Sequence, residues 1–340
     1  MSTITLPYRA VTAARNWCFD HGIFQSVMSR SPVVSVGNVS FGGSGKTPFA
    51  QYLASMLLAR GAAPVILLRG YRGRIVGPAV VREVDSPDDV GDEAVLHYEE
   101  FRGRVPVVVA RKRVEGARLI DEARLGEVII LDDGFQHRRL ARDFDLLLYD
   151  PVAAASGNFR EALDGALRRA DAIIVINRLK ADGKPVGEET LPESLQGHPT
   201  FHFALQPRCF IELGSTNREY PLDSFRGISG VALSAIANPW GFEAMLTALG
   251  IHVVHHERFR DHYRYRDADM NTLRRRASGR PIFTTTKDGV KLSRLFPSSE
   301  IFVLKLQGEF RSSEEEENFL HLTERKLGLP IELQQRNRSI

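Results

Sequence analysis

The sequence predicts an α/β fold: a largely parallel sheet with helices on its faces, followed by a second, smaller α/β domain. Short, apolar, mostly β-branched runs recur along the chain, and the stretches between them hold apolar residues at helical spacing. The pattern breaks once, past the middle, and 340 residues are long for one domain. Hydrophobic residues make up 43% and charged residues 26%, which excludes disordered, collagen-like and coiled-coil classes.

Residues 1–30 stand apart. On a helical wheel Leu6, Ala10, Ala13 and Trp17 fall on one stripe, with Arg15 opposite and Arg9 to one side, and Cys18, Phe19, Ile23 and Phe24 extend the apolar content. Such a helix either packs on the domain or lies in a bilayer surface, where Trp and Arg suit the headgroup level. The run 32–36 is the first expected buried strand and 47–60 the helix after it. Strands follow at 64–68, 105–110, 127–131, 145–149 and 172–176, with a helix at 112–124. Strands separated by helical crossovers pair in parallel. Gly, Pro, Glu and Asp accumulate over 180–199, so the chain is divided into 31–200 and a smaller domain, 201–340. Residues 201–213 alternate as a linking strand would. Apolar segments at 230–236, 240–249, 251–254, 281–285 and 301–306 form the second α/β set, and 313–327 a closing helix.

Composition excludes several functions. The balance of 45 Lys+Arg against 42 Asp+Glu, with no basic patch interleaved with aromatics, predicts no nucleic-acid partner. Cys18 and Cys209 are too few for a disulfide framework or a four-thiolate zinc site, which suits a reducing cytosol. His252, His255 and His256 cluster, but without a Cys or matching carboxylate spacing they predict no zinc. No apolar run approaches the roughly 20 residues of a spanning helix, and no signal-peptide core opens the chain. A soluble, enzyme-sized monomer is expected.

The strongest local signal spans residues 37–47, directly after the first strand, and ends in Gly42-Gly43-Ser44-Gly45-Lys46-Thr47. It fits a P-loop between strand and helix. Its glycines turn backbone N–H groups toward phosphate oxygens, Lys46 reaches the β/γ-phosphates, and Thr47 ligates Mg²⁺. The helix that opens there adds the positive end of its dipole, and Pro48 is tolerated in its first turn. Ser40 departs from the strict pattern, standing where its first Gly belongs. A P-loop also needs an acidic residue at a strand end to hold the metal. The run 127–131 ends in Asp132-Asp133, whose paired carboxylates would repel without a cation between them. The fold class is therefore α/β and P-loop NTPase-like, with a nucleoside triphosphate and Mg²⁺ as expected ligands. Asn177-Arg178-Leu179-Lys180 lacks the Asp of a guanine-reading motif, and no Leu-Ser-Gly-Gly-Gln run marks a transporter ATPase. Phosphoryl transfer to a small or lipid acceptor leads, and a P-loop switch that binds partners is the alternative.

At this point the chain resembles the tetraacyldisaccharide 4′-kinases of lipid A biosynthesis. The resemblance is carried by Val36-Gly37-Asn38 through Gly45-Lys46-Thr47-Pro48, Arg69-Gly70-Tyr71, Gly91-Asp92-Glu93, and Asp132-Asp133-Gly134-Phe135-Gln136-His137. Asp261-His262 and Thr286-Lys287-Asp288 continue it. Ser40 agrees with the family, whereas Tyr263 and Thr286 depart from it, standing where the family often has His and Glu. The resemblance implies transfer of the ATP γ-phosphate to the 4′-hydroxyl of a lipid A disaccharide 1-phosphate, giving lipid IVA. It also implies two α/β domains joined by a β-strand linker, and a peripheral enzyme on the cytoplasmic face of the inner membrane, held there by its N-terminal helix. Asp92 and His262 would form an acid–base pair. Arg113, Arg72 and Gln136 are candidates for the substrate.

Overall fold

A computed structural model describes residues 5–40, 45–155, 157, 159–179, 185–186, 191–213, 218–296 and 300–328. The chain forms two compact units: residues 1–176, 190–203 and 310–340, and residues 177–189 with 204–309.

The first unit runs α1 (Thr5–Asp20), β1 (Val33–Asn38), α2 (Lys46–Ala59), β2 (Pro64–Leu68), β3 (Ala79–Val80), α3 (Pro87–Val90), α4 (Asp92–Phe101) and β4 (Val107–Val109). It continues with α5 (Arg113–Ala123), β5 (Val128–Asp132), β6 (Phe144–Tyr149), α6 (Pro151–Ala155), α7 (Leu163–Leu167) and β7 (Ala172–Leu179). β1 lies between β5 and β6 and is parallel to both. Outside β5 come β2 and then β4, also parallel, with β3 antiparallel at the edge, and β7 flanks β6. All six residues of β1 and of β6 are buried, as are all five of β5. Burial on both faces explains why these strands read as unbroken apolar runs instead of alternating ones. Because β5 and β6 flank β1 on opposite sides, the strand order reverses there. A crevice beyond the carboxyl ends of the strands at such a point is where open α/β sheets bind ligands.

The second unit holds β8 (Pro185–Val186), most of β9 (Thr200–Glu212), β10 (Glu219–Tyr220), β11 (Ser229–Ser234), α8 (Pro239–Ala248) and β12 (His252–Arg258). After these come α9 (Asp267–Ala277), β13 (Ile282–Thr285), α10 (Thr286–Leu295) and β14 (Ile301–Phe310), and the chain returns to the first unit for α11 (Ser313–Leu327). β11 is parallel to β12 and β13, and β13 to β14. Phe210, Phe225, Phe283 and Phe302 pack together as its aromatic core.

The expected division at residue 201 differs from these units at the tail. Helix α11 packs with the first unit because Phe319 meets Phe49 of α2 edge to face, centroids 5.9 Å apart, while Phe203 meets the same ring at 4.9 Å. A fully buried ring such as Phe49 ties both chain crossings to one core.

Candidate active site

Strand register assembles the site. Val36 of β1 pairs with Asp132 at the end of β5, so the turn after β1 and the two carboxylates emerge side by side. Gly37 allows this closeness: a Cβ there would lie 2.6 Å from Phe135 Cβ and 2.7 Å from its backbone nitrogen. Gly45, at φ 75°, takes the left-handed conformation that aims α2 from its first residue, Lys46. Gly42, Gly43 and Ser44 lie outside the described residues.

Lys46 Nζ donates to Asn38 Oδ1 at 3.1 Å and stands 3.5 Å from Asp133 Oδ1. Thr47 Oγ1 donates to Asp132 Oδ2 at 3.3 Å. Arg160 Nη1 approaches Asp133 from the other side, at 3.1 Å. Burial alone would raise the Asp133 carboxyl; Lys46 and Arg160 outweigh it and hold the group down at about 2. Asp132 is buried, and its Oδ2 also takes a bond from Nε2 of the buried His97, 2.9 Å away. Among the described residues its Oδ1 has no hydrogen-bond partner. A buried, orphaned carboxylate oxygen beside a threonine hydroxyl is a donor set that suits a hard divalent cation. No group of three or more His, Cys, Asp or Glu among the described residues forms a complete metal cage.

The other expected residues divide. Gln136 Nε2 donates to the Asn38 carbonyl at 2.7 Å, so Gln136 braces the strand beneath Lys46. Arg113 is buried at the start of α5; burial pushes its guanidinium down to about 10 against the pull of Asp133, which places its charge in the site's field. Arg72 is exposed and lies over the Tyr71 ring, 5.5 Å from its centroid. Asp92 opens α4 behind Gly91, where a Cβ would come 2.6 Å from the Tyr71 carbonyl oxygen. That close approach packs the Arg69-Gly70-Tyr71 and Gly91-Asp92-Glu93 motifs together.

In the second unit, Lys287 Nζ donates to Asp261 Oδ1 at 3.0 Å and lies 3.1 Å from His262 Nε2. Lysine only donates, so His262 Nε2 carries a lone pair and the ring proton sits on Nδ1. Asp288, the next residue, serves structure instead: it is buried and accepts from Ala235 N, Thr285 Oγ1 and Tyr265 Oη at 3.0, 2.7 and 3.0 Å. Among the described residues, non-glycine positive φ falls at Arg102, Arg124 and Ser278, which end helices, and at Arg72, Asp133 and His262, which do not. Backbone strain away from helix ends thus coincides with three expected site residues.

The sequence pattern of the tetraacyldisaccharide-1-P 4′-kinase (LpxK) family matches residues 1–324. The chain belongs to that family. It is 35% identical over 299 residues to the tetraacyldisaccharide 4′-kinase of Geobacter sulfurreducens, covering 84% of this chain and 82% of the relative. It is 36% identical over 296 residues to that of Aquifex aeolicus, covering 84% and 87%. The crystal structure of apo-form LpxK from Aquifex aeolicus in complex with ATP superposes with TM-score 0.77 at 32% identity, over 95% of this chain and 97% of that one. The chain is accordingly a kinase, and its fold is that of this structure.

His97 and Arg160 are the site residues that motif reading passed over. Of these only His97 leaves a signal: Ala94, His97 and Phe101 share the buried face of α4, which puts a histidine in an apolar stripe.

Proposed function

We propose that Lys46, Thr47, Asp132 and Asp133 hold ATP with Mg²⁺, and that His262, supported by Asp92, takes the proton from the acceptor hydroxyl. The reaction comes with the family: tetraacyldisaccharide 4′-kinase activity, in which the 4′-hydroxyl of a lipid A disaccharide 1-phosphate receives the ATP γ-phosphate. The observation that carries the site assignment is the orphaned Asp132 Oδ1 beside Thr47, within reach of the Lys46–Asp133 pair. When bound, Mg²⁺ would neutralise charge on the transferring phosphoryl oxygens. Lys46, held by Asn38 through one of its three donors, is placed to reach the β/γ-phosphates with the others, and Arg160 and Arg113 add fixed positive charge. The His262 Nε2 lone pair accepts from Lys287 Nζ at 3.1 Å, so that bond must open before the ring takes the proton. As the hydroxyl oxygen bonds to phosphorus, its proton passes to the base and ADP departs. With labelled ATP, thin-layer chromatography should show label on the disaccharide lipid, stoichiometric with ADP and only when a divalent cation is present. ADP formed without labelled lipid would reject the transfer.

We also propose that residues 10–28 seat the enzyme on the inner-membrane surface from the cytoplasmic side. No helix among the described residues is long and apolar enough to cross a membrane. Over residues 10–32 the buried side chains are polar ones, Thr12 and Asn16. Val11, Trp17 and Met28 are 69%, 53% and 72% exposed, and Ala10, Ala13, Ile23 and Phe24 are exposed too. A helix that turns its apolar stripe outward favours the interfacial role over packing on the domain. Arg15 bends to Asn16 Oδ1, while Arg30 is exposed toward anionic lipid. Burial of the apolar face gains about 25 cal/mol per Å². Trp17→Ser with Phe24→Ser should therefore move the protein from vesicles into the soluble fraction and raise KM for bilayer-presented lipid, leaving ATP binding without lipid unchanged. Undiminished sedimentation of the double variant would end this role.

A further inference from the structure

The polar face of α1 leads into the nucleotide site. Asn16 Nδ2 donates to Glu161 Oε2 at 2.7 Å, and Glu161 Oε1 accepts from Gln136 Nε2 at 3.2 Å. The same Gln136 amide donates to the carbonyl of Asn38, whose side chain accepts from Lys46 Nζ at 3.1 Å and donates to the Ser40 carbonyl at 2.8 Å. Asn16, Glu161 and Asn38 are all buried, and every link lies within the first unit. Arg169 Nη2 donates to the same Glu161 Oε2 at 2.9 Å, and Arg160 spans Gln136 Oε1 and Asp133. A second tie runs beside the first. Arg138, two residues after Gln136, donates to the Asn16 carbonyl at 3.0 Å, pairs with Asp20 at 2.7 Å and lies over the Phe19 ring.

From this chain of contacts we propose that the seating of α1 on a lipid surface is felt at the P-loop. Asn16 and Glu161 act as positioning residues that fix Lys46 and the Asn38–Ser40 turn through Gln136. This rests on the membrane role proposed for residues 10–28. A helix held by buried polar contacts, with its apolar side chains in water, opens locally at low cost. A surface that covers Val11, Trp17 and Met28 favours the seated state, and with it the braced form of Asn38 and Lys46. Buried polar networks suit this purpose, because an amide or carboxylate left without its partner disfavours intermediate arrangements. Reciprocity follows: if vesicles tighten nucleotide binding by some factor, nucleotide tightens vesicle binding by the same factor.

The test uses the full chain, the non-hydrolysable analogue AMP-PNP with Mg²⁺, and phosphatidylethanolamine–phosphatidylglycerol vesicles free of disaccharide lipid. In the wild type, vesicles should lower the nucleotide Kd by about fivefold or more, and saturating nucleotide should raise the vesicle partition constant by the same factor. Asn16→Ala should still sediment with vesicles while both factors fall to one. Asn16→Asp, which sets a carboxylate against Glu161, should behave the same. Wild-type protein that sediments but shows no mutual strengthening overturns the coupling alone. Wild-type protein that fails to sediment overturns the membrane role and the coupling with it. Coupling that survives in both Asn16 single variants overturns the route through Glu161.

Discussion

Lys46→Ala is expected to lower kcat by about 10²–10³, the span of a fixed electrostatic group that acts on charge developing in the transition state. The structure separates this loss from unfolding. The Lys46 ammonium touches Asn38 and Asp133, and Asp133 keeps Arg160 at 3.1 Å when Lys46 is gone. The Asp133 side chain is also 40% exposed, so water replaces part of what the lysine supplied. Thermal unfolding of the variant should therefore stay near that of the wild type while turnover collapses. Lys46→Arg should recover little, since a planar guanidinium does not deliver a point charge at the same place. A folded Lys46→Ala enzyme with near-normal turnover would remove Lys46 from the phosphate site.

The parts of this site legible in the sequence are those that chemistry confines to a few contiguous residues. Lys46-Thr47 must follow a strand and open a helix, and Asp132-Asp133 must end one, so pattern and place coincide. Asn16, His97, Arg160 and Glu161 reach the same site through tertiary register, 35 residues apart for His97 and Asp132 and 145 for Asn16 and Glu161, and no local spacing announces them. Buried strands were legible because burial on both faces leaves continuous apolar runs. Helices α4 and α9 were not, because α9 buries only Met270, Leu273 and Ala277 among its acidic and basic residues, and α4 hides a histidine in its core face. The wheel of α1 shows two faces equally well. Which one turns inward is decided by Glu161, a partner far along the chain. The Thr286-Lys287-Asp288 motif shows how one fingerprint divides: adjacent residues on a helix point about 100° apart, so Asp288 binds the core while Lys287 meets His262.

Asp92→Ala and His262→Ala are each expected to lower kcat by about 10²–10⁴, the span of a positioned general base. Asp92 sits in the first turn of α4. His262 carries its Nε2 lone pair toward Lys287 and takes a backbone φ of 58°. Alanine at that φ is strained, so a second variant is needed. His262→Asn tolerates the left-handed region and keeps a polar side chain without a base of suitable pKa. Both His262 variants should lose kcat alike while KM for ATP, bound through residues of the other unit, changes little. If carboxylate and imidazole act as one unit, the Asp92→Ala/His262→Ala enzyme should be scarcely slower than the slower single variant, since removing either already disables both. Losses that multiply would assign the two residues to separate steps. Wild-type kcat in a folded His262→Asn enzyme would remove His262 as the base and leave proton transfer to another group.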